Sequence, residues 1–216
     1  MTGQLFETVL LGAVRGRRLL SHPFYQRWEA GLLEPGELAD YAEQYRHVEA
    51  ALPRVLTSIV SSLPDNSARQ LVERNLADEL GPPAHLDLFE QFASACGAVA
   101  DAPASPATSD LVEVQLRSAA AGAVLGLAAV AAYEVQAAEV AGSKADGLRR
   151  HYGMDSSGTR FWDLHAALEA DHADWSAEAL AELGASDTAV TAAASEAAEA
   201  WWAFLDEREA CRPVAA

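Results

Sequence analysis

At 216 residues, half of them hydrophobic, the chain is long enough to bury a substantial core and reads as one domain over residues 1–216. Its 15 Lys and Arg stand against 32 Asp and Glu, a net charge of −17. That charge repels nucleic-acid phosphates and anionic lipid, so the expectation is no nucleic-acid and no membrane partner.

Taken in chain order, Met1 to Glu7 carries no positive start and leads to no small-residue cleavage site, which argues for a cytoplasmic protein. Apolar residues then recur at helical spacing nearly everywhere, and no segment alternates as a strand does. The predicted helices lie at about 3–20, 36–62 with a bend near Pro53, 66–80, 84–95, 109–119, 121–150, 157–183 and 187–209, with a short turn over Phe24 to Ala30. The expected fold is an all-α, single-domain bundle of about seven to eight helices. Gly81-Pro82-Pro83 stops one helix sharply, and residues 97–109 form the one long loop. The uncharged run from Ser118 to Tyr133 falls short of the roughly 20 residues that span a bilayer and reads as buried helix. Cys96 and Cys211 form no CxxC pair, which fits a reducing compartment, and neither looks like a metal ligand.

The segment Phe161 to Trp175 carries the chemistry. His165, Glu169 and His172 are spaced by four and three residues, so at about 100° per residue they share one helical stripe, while Asp171 falls off it. Two imidazoles and a carboxylate on one face are half of a site for iron, manganese or zinc. Glu79 at a helix end, His85 just past the Pro-Pro turn, and Glu134 can complete it. Glu134 is the one charged side chain between Ala119 and Ala138, and a carboxylate buried there without a partner costs several kcal/mol unless a cation or proton meets it. Three His and three Glu would make a dinuclear site in which only Glu169-x-x-His172 has the ferritin-type spacing. Taken singly, each of these residues is more often a solvated or hydrogen-bonded side chain. The same holds for His22, His47 and His151, and Tyr41, Tyr45 and the Trp residues read as core or bundle surface.

Longer stretches carry a resemblance. Ser21-His-Pro-Phe-Tyr-Gln-Arg-Trp-Glu-Ala-Gly-Leu-Leu33 with Leu38-Ala-Asp-Tyr-Ala-Glu-Gln-Tyr45 resembles the opening of haem-oxygenase-like dimetal oxidases. Asn75-Leu-Ala-Asp-Glu-Leu-Gly81, His85-Leu-Asp-Leu-Phe-Glu-Gln-Phe92, Tyr133-Glu-Val-Gln136 and the His165/Glu169/His172 helix follow that family's ligand order. Within the family the chain looks most like the death-domain-associating para-aminobenzoate synthases. The resemblance implies metal ligands at Glu79, His85, Glu134, His165, Glu169 and His172. It further implies that Tyr25 is consumed as the source of the product ring, that Tyr133 stands beside the metals, and that Lys144 gives nitrogen. Three departures are visible: Glu169 stands where that subfamily has Asp, the Glu79 to His85 connection is one residue shorter, and Tyr45-Arg46 replaces a Tyr-Tyr pair. Lys144 also lies ten residues beyond Glu134, about 15 Å of helical rise, so it reaches the metals only if that helix bends or unwinds.

The implied function is an O₂-activating, non-haem dimetal oxidase with two iron ions, or one iron and one manganese, that draws on an external reductant and makes para-aminobenzoate for folate from its own tyrosine in a single turnover. An alternative keeps the dimetal core but oxidises an external amine, amino acid or fatty acid, and a homodimer is allowed. A cofactor-free thiamine-degrading activity lacks a placed cysteine nucleophile, and a haem oxygenase lacks a histidine on the first helix. The rival from another class is a metal-free acidic bundle that binds a protein partner.

Overall fold

The computed structural model describes residues 2–212. Among them are nine α-helices and no strand: α1 (Thr2–Ala13), α2 (Pro23–Glu29), α3 (Pro35–Ser62), α4 (Ser67–Leu80), α5 (His85–Ala95), α6 (Pro106–Ala121), α7 (Ala123–Tyr152), α8 (Ser156–Glu182) and α9 (Asp187–Ala210). The all-α expectation agrees with this, the short α2 making the ninth helix.

Two boundaries differ from the sequence reading. The first helix, expected to run to residue 20, stops at Ala13 and gives way to two 3₁₀ turns, Arg15–Arg17 and Leu19–Ser21. Arg18 between them is extended, and the Leu19 amide donates to the Gln136 side chain at 2.9 Å instead of to a carbonyl one turn back. Conversely α6 begins at Pro106, three residues early, because a proline at the first helical position needs no amide partner.

Local chemistry explains the other ends. Asp155 caps α8, its carboxylate accepting from the Ser157 and Gly158 amides, and Asn66 caps α4 by accepting from Arg69 N. Glu34 and Glu37 form a capping box on α3, and Glu37 also pairs with Arg27 at 2.7 Å. The run from Ser118 to Tyr133 is split at Gly122, whose φ of +135° an L side chain rarely adopts. The long α7 is apolar enough over 18 residues to match a membrane span in composition, yet two-thirds of that window is buried inside the bundle.

α7 packs most extensively on α8 and α9. Its alanines allow the close approach, and at Gly147 it lets the Trp28 ring lie against the backbone, with Trp28 Nε1 donating to the Lys144 carbonyl at 3.2 Å. A Cβ on Gly147 would come within 2.8 Å of that ring.

Two apolar cores result. One gathers Leu10, Ile59, Val72, Ala128, Leu180 and Ala194, and the other gathers Phe24, Trp28, Phe89, Phe92, Trp162 and Phe204. Each of α3, α7 and α8 contributes to both cores, so its middle turns cross the waist between them. Among the described residues, the buried Glu49, Glu79, His85, Glu134, His165, Glu169 and His172 sit at that waist.

Candidate metal centre

The six residues expected as ligands come from four helices, and all are buried, none more than 6% exposed. α8 contributes three from one face: His165 Nε2 lies 3.9 Å from one Glu169 oxygen, and His172 Nδ1 lies 3.8 Å from the other. Asp171 is exposed. The turn between α4 and α5 brings Glu79 and His85 together, Oε2 to Nδ1, at 3.0 Å but poorly aligned for a hydrogen bond. The His85 and His165 rings meet edge to face with centroids 4.7 Å apart. Glu134 on α7 accepts from Asn75 Nδ2 at 2.7 Å and from Ser176 Oγ at 2.6 Å.

Neighbouring groups set the imidazole tautomers. His165 Nδ1 donates to the Phe161 carbonyl at 2.8 Å, which leaves the Nε2 lone pair toward Glu169. His172 Nε2 donates to the Asp78 carboxylate at 3.2 Å, which leaves Nδ1 toward the same carboxylate. Metal-binding histidines typically have the outward N–H held in this way, by a carbonyl or a carboxylate. Burial brings His165 down to about 4, so the ring is neutral and free to donate its lone pair.

The carboxylates show the strain that a cation would relieve. Burial, then the nearby Glu134, Glu79 and Glu49, pushes Glu169 well above the usual carboxylate range, and burial raises Glu134 too. Burial also acts to raise Glu79, but His85 beside it, with His165 and His172, holds it lower. Glu169 Oε2 and His85 Nδ1 are buried without a hydrogen-bond partner. The donor set, the inward lone pairs and the orphaned atoms fit a first-row transition-metal centre.

The sequence reading missed one acid at this place. Glu49 on α3 is 4% exposed, and one ligand atom from each of Glu49, Glu79, His85 and His165 lies within 4.8 Å of the other three. Its signal was available, since Glu49 continues the Tyr41 and Tyr45 stripe at an offset of four. Asn75, Asp78 and Ser176 were also missed, because a partner's role depends on which helix lands opposite.

A second cluster adjoins the centre. Tyr25, expected from the resemblance alone, is 2% exposed, and its hydroxyl lies 2.8 Å from that of Tyr41. Lys144 Nζ donates to the Tyr41 hydroxyl at 2.6 Å and sits 4.7 Å from the Tyr25 ring centroid and 3.9 Å from that of Trp162. α7 neither breaks nor unwinds, so Lys144 stays among these rings and reaches Tyr25 rather than the buried Glu and His cluster. Burial pushes its amine well below the usual lysine value, against the opposing charges of Glu169 and Glu49. Tyr133 receives a hydrogen bond from Tyr45 at 3.0 Å and stacks on Trp201. Tyr45 in turn stacks on Tyr41 at 5.5 Å, so four phenols run from beside Glu134 to Tyr25.

The amine has a stability consequence. With its folded value lowered, the unfolded chain binds a proton that the folded chain does not, from the folded value up to about 10.5. Stability should therefore fall by about 1.4 kcal/mol for each pH unit descended through that window. Lys144→Met should raise the melting temperature at pH 7 and flatten this slope, as thermal melts between pH 7 and 10 would record. A lower melting temperature with the slope retained would contradict it.

The cavity against the cluster is lined by Glu49, Glu79, Glu134, His165, Glu169 and His172 together with Tyr133, Val55 and Trp201, with a volume of about 50 Å³.

Known proteins resemble the chain in sequence and in fold. A family model described as iron-containing redox enzyme matches residues 39–206. A 4-aminobenzoate synthase of Nitrosomonas europaea is 34% identical over 95% of this chain and 92% of its own length, and one from Chlamydia pneumoniae is 31% identical over 89% of each. Among solved structures, a TenA homologue from Pseudomonas syringae superposes with a TM-score of 0.82 over 93% of this chain and 91% of its own, at 16% identity. A CADD-like protein of unknown function from Nostoc punctiforme gives 0.78 over 95% and 96%, also at 16% identity. At such identity these two structures bear on the fold alone.

Proposed function

Since the chain belongs to the iron-containing redox enzyme family, we propose that it is a dimetal oxidase that forms para-aminobenzoate from the ring of its own Tyr25, with nitrogen from Lys144. The relatives at 30% identity or more that carry the name 4-aminobenzoate synthase support the product. The observation that carries the self-derived route is the amine of Lys144 held by Tyr41 beside the Tyr25 hydroxyl. Para-aminobenzoate bears nitrogen at the ring carbon where tyrosine bears oxygen, so the donor has to stand at that end of the ring.

Glu79, His85, Glu134, His165, Glu169 and His172 would hold the metals, as two irons or as iron with manganese. When bound, such a pair supplies electrons to O₂ and oxidising equivalents to nearby groups. The protein's own residues do the rest. Trp28, Trp162 and the surrounding rings keep water from Tyr25 and Lys144. Burial favours the neutral form of the Lys144 amine, the form with a lone pair to give. Tyr41 holds amine and phenol in register, accepting from the first and sharing a proton with the second. Tyr133, Tyr45 and Tyr41 form a path along which an electron can leave Tyr25 as protons shift between paired hydroxyls.

The small cavity favours this route over an external amine or fatty acid. Small-molecule sites occupy roughly 300–1,000 Å³, and about 50 Å³ admits O₂ or a few waters. The two free cysteines fit a reducing, cytoplasmic setting. Protein labelled with ¹⁵N at the lysine side chain, loaded with Fe(II) and exposed to O₂ and reductant, should release ¹⁵N-labelled para-aminobenzoate. Unlabelled product would remove Lys144 from its role.

A further inference from the structure

Glu49 is the buried acid that the six expected ligands leave unexplained. It sits midway along α3, between Tyr45 in one core and Val55 in the other, at the same waist as Glu134 and Glu169. Pro53, four residues on, has no amide to offer the Glu49 carbonyl, so α3 is one backbone bond short at this turn.

We infer that Glu49 is a further metal-binding carboxylate, closing a four-residue cage with Glu79, His85 and His165 around one divalent ion. The geometry comes first. Donor atoms that share an ion at 2.0–2.2 Å stand no more than about 4.4 Å apart, and the four side chains offer atoms all within 4.8 Å of one another, so side-chain shifts of a few tenths of an ångström would bring them within that limit. Two carboxylates and two neutral imidazoles are a donor set for iron, manganese or zinc.

The partners of Glu49 point the same way. A buried acid kept for structural reasons acquires donors, as Glu37 has in the Arg27 guanidinium and the Glu34 amide. Glu49 Oε1 is fully buried and has none, and the side chain lines the cavity against the cluster. The cage also divides the ligands, leaving Glu134, Glu169 and His172 for a second ion. Glu49 adds a fourth carboxylate to the three expected from sequence.

This assignment rests on the reading of the waist as a metal centre, and the test separates the two. Full-length wild type, Glu49→Gln and His165→Ala are titrated anaerobically with Fe(II), and with Co(II) to read the visible d–d bands. Glu49→Gln should bind one ion at least about tenfold more weakly with shifted cobalt bands. Its metal-free melting temperature should equal or exceed that of wild type while the rise on adding metal shrinks, because the change removes a ligand and an unpartnered acid together. A wild-type isotherm and wild-type cobalt bands in Glu49→Gln would overturn the assignment, as would equal destabilisation with and without metal. If Glu49→Gln does not fold, Glu49→Asp carries the test: the withdrawn carboxylate should weaken one ion, and an unchanged isotherm overturns the assignment. No binding by wild type would overturn the metal centre itself.

Discussion

Tyr25→Phe should release no para-aminobenzoate when the metal-loaded protein meets O₂ and reductant, and should still bind its metals. Phenylalanine fills nearly the same space in the Phe24, Trp28 and Tyr41 cluster, so packing changes little beyond one hydrogen bond to Tyr41. What is lost is the phenol, the group whose oxygen must give way to nitrogen. Tyr25 hands nothing to the ligand cluster directly, because Tyr41, Tyr45 and Tyr133 lie between. Metal stoichiometry measured beside product by mass spectrometry separates a missing substrate from a missing cofactor. Product from Tyr25→Phe at the wild-type level would transfer the role of ring donor to another residue.

Loss of His165 or His172 should act at the opposite end of this path. Each imidazole has its outer nitrogen held, by the Phe161 carbonyl or by Asp78, and its inner lone pair aimed at Glu169. Losing an outer partner of a metal-bound histidine typically costs about 10–100-fold in affinity, and losing the ring itself should cost at least that much. Anaerobic Fe(II) titration of His165→Ala and His172→Ala should therefore show fewer ions per chain, while Asp171→Ala, exposed on the other face, should match wild type. Wild-type stoichiometry in both histidine variants would mean that α8 does not carry the ligands.

How far the sequence reached follows from what each signal encodes. Helical periodicity and Gly/Pro punctuation are local, so the nine helices were legible apart from two ends: α1, where Gln136 from a distant helix takes the Leu19 amide, and α6, which starts at Pro106 rather than after the loop. His165, Glu169 and His172 were legible because one helix carries them, and Glu134 because its flanks are apolar. Glu49 continues the Tyr41 and Tyr45 stripe, but one acid at the end of a stripe of phenols, with Arg46 and His47 close by in sequence, does not reveal by itself that α4, α5 and α8 bring Glu79, His85 and His165 against it. Lys144 looked out of place on a straight α7, since the rise from Glu134 measures distance to the metals and says nothing about Tyr25. Only the packing of α2 and α3 against α7 brings the phenols to the amine. Asn75, Ser176 and Asp78 became meaningful once α4 and α8 were seen to face each other across the site.

The central claim is that this protein is its own substrate. It is tested most directly by the yield of para-aminobenzoate per chain, measured with the intact mass of the Tyr25 peptide after repeated O₂ and reductant exposure of the metal-loaded protein and no added aromatic. The account predicts product that rises to no more than one per chain, with Tyr25 truncated at its side chain in the same proportion. Product accumulating over many turnovers with Tyr25 intact would contradict it.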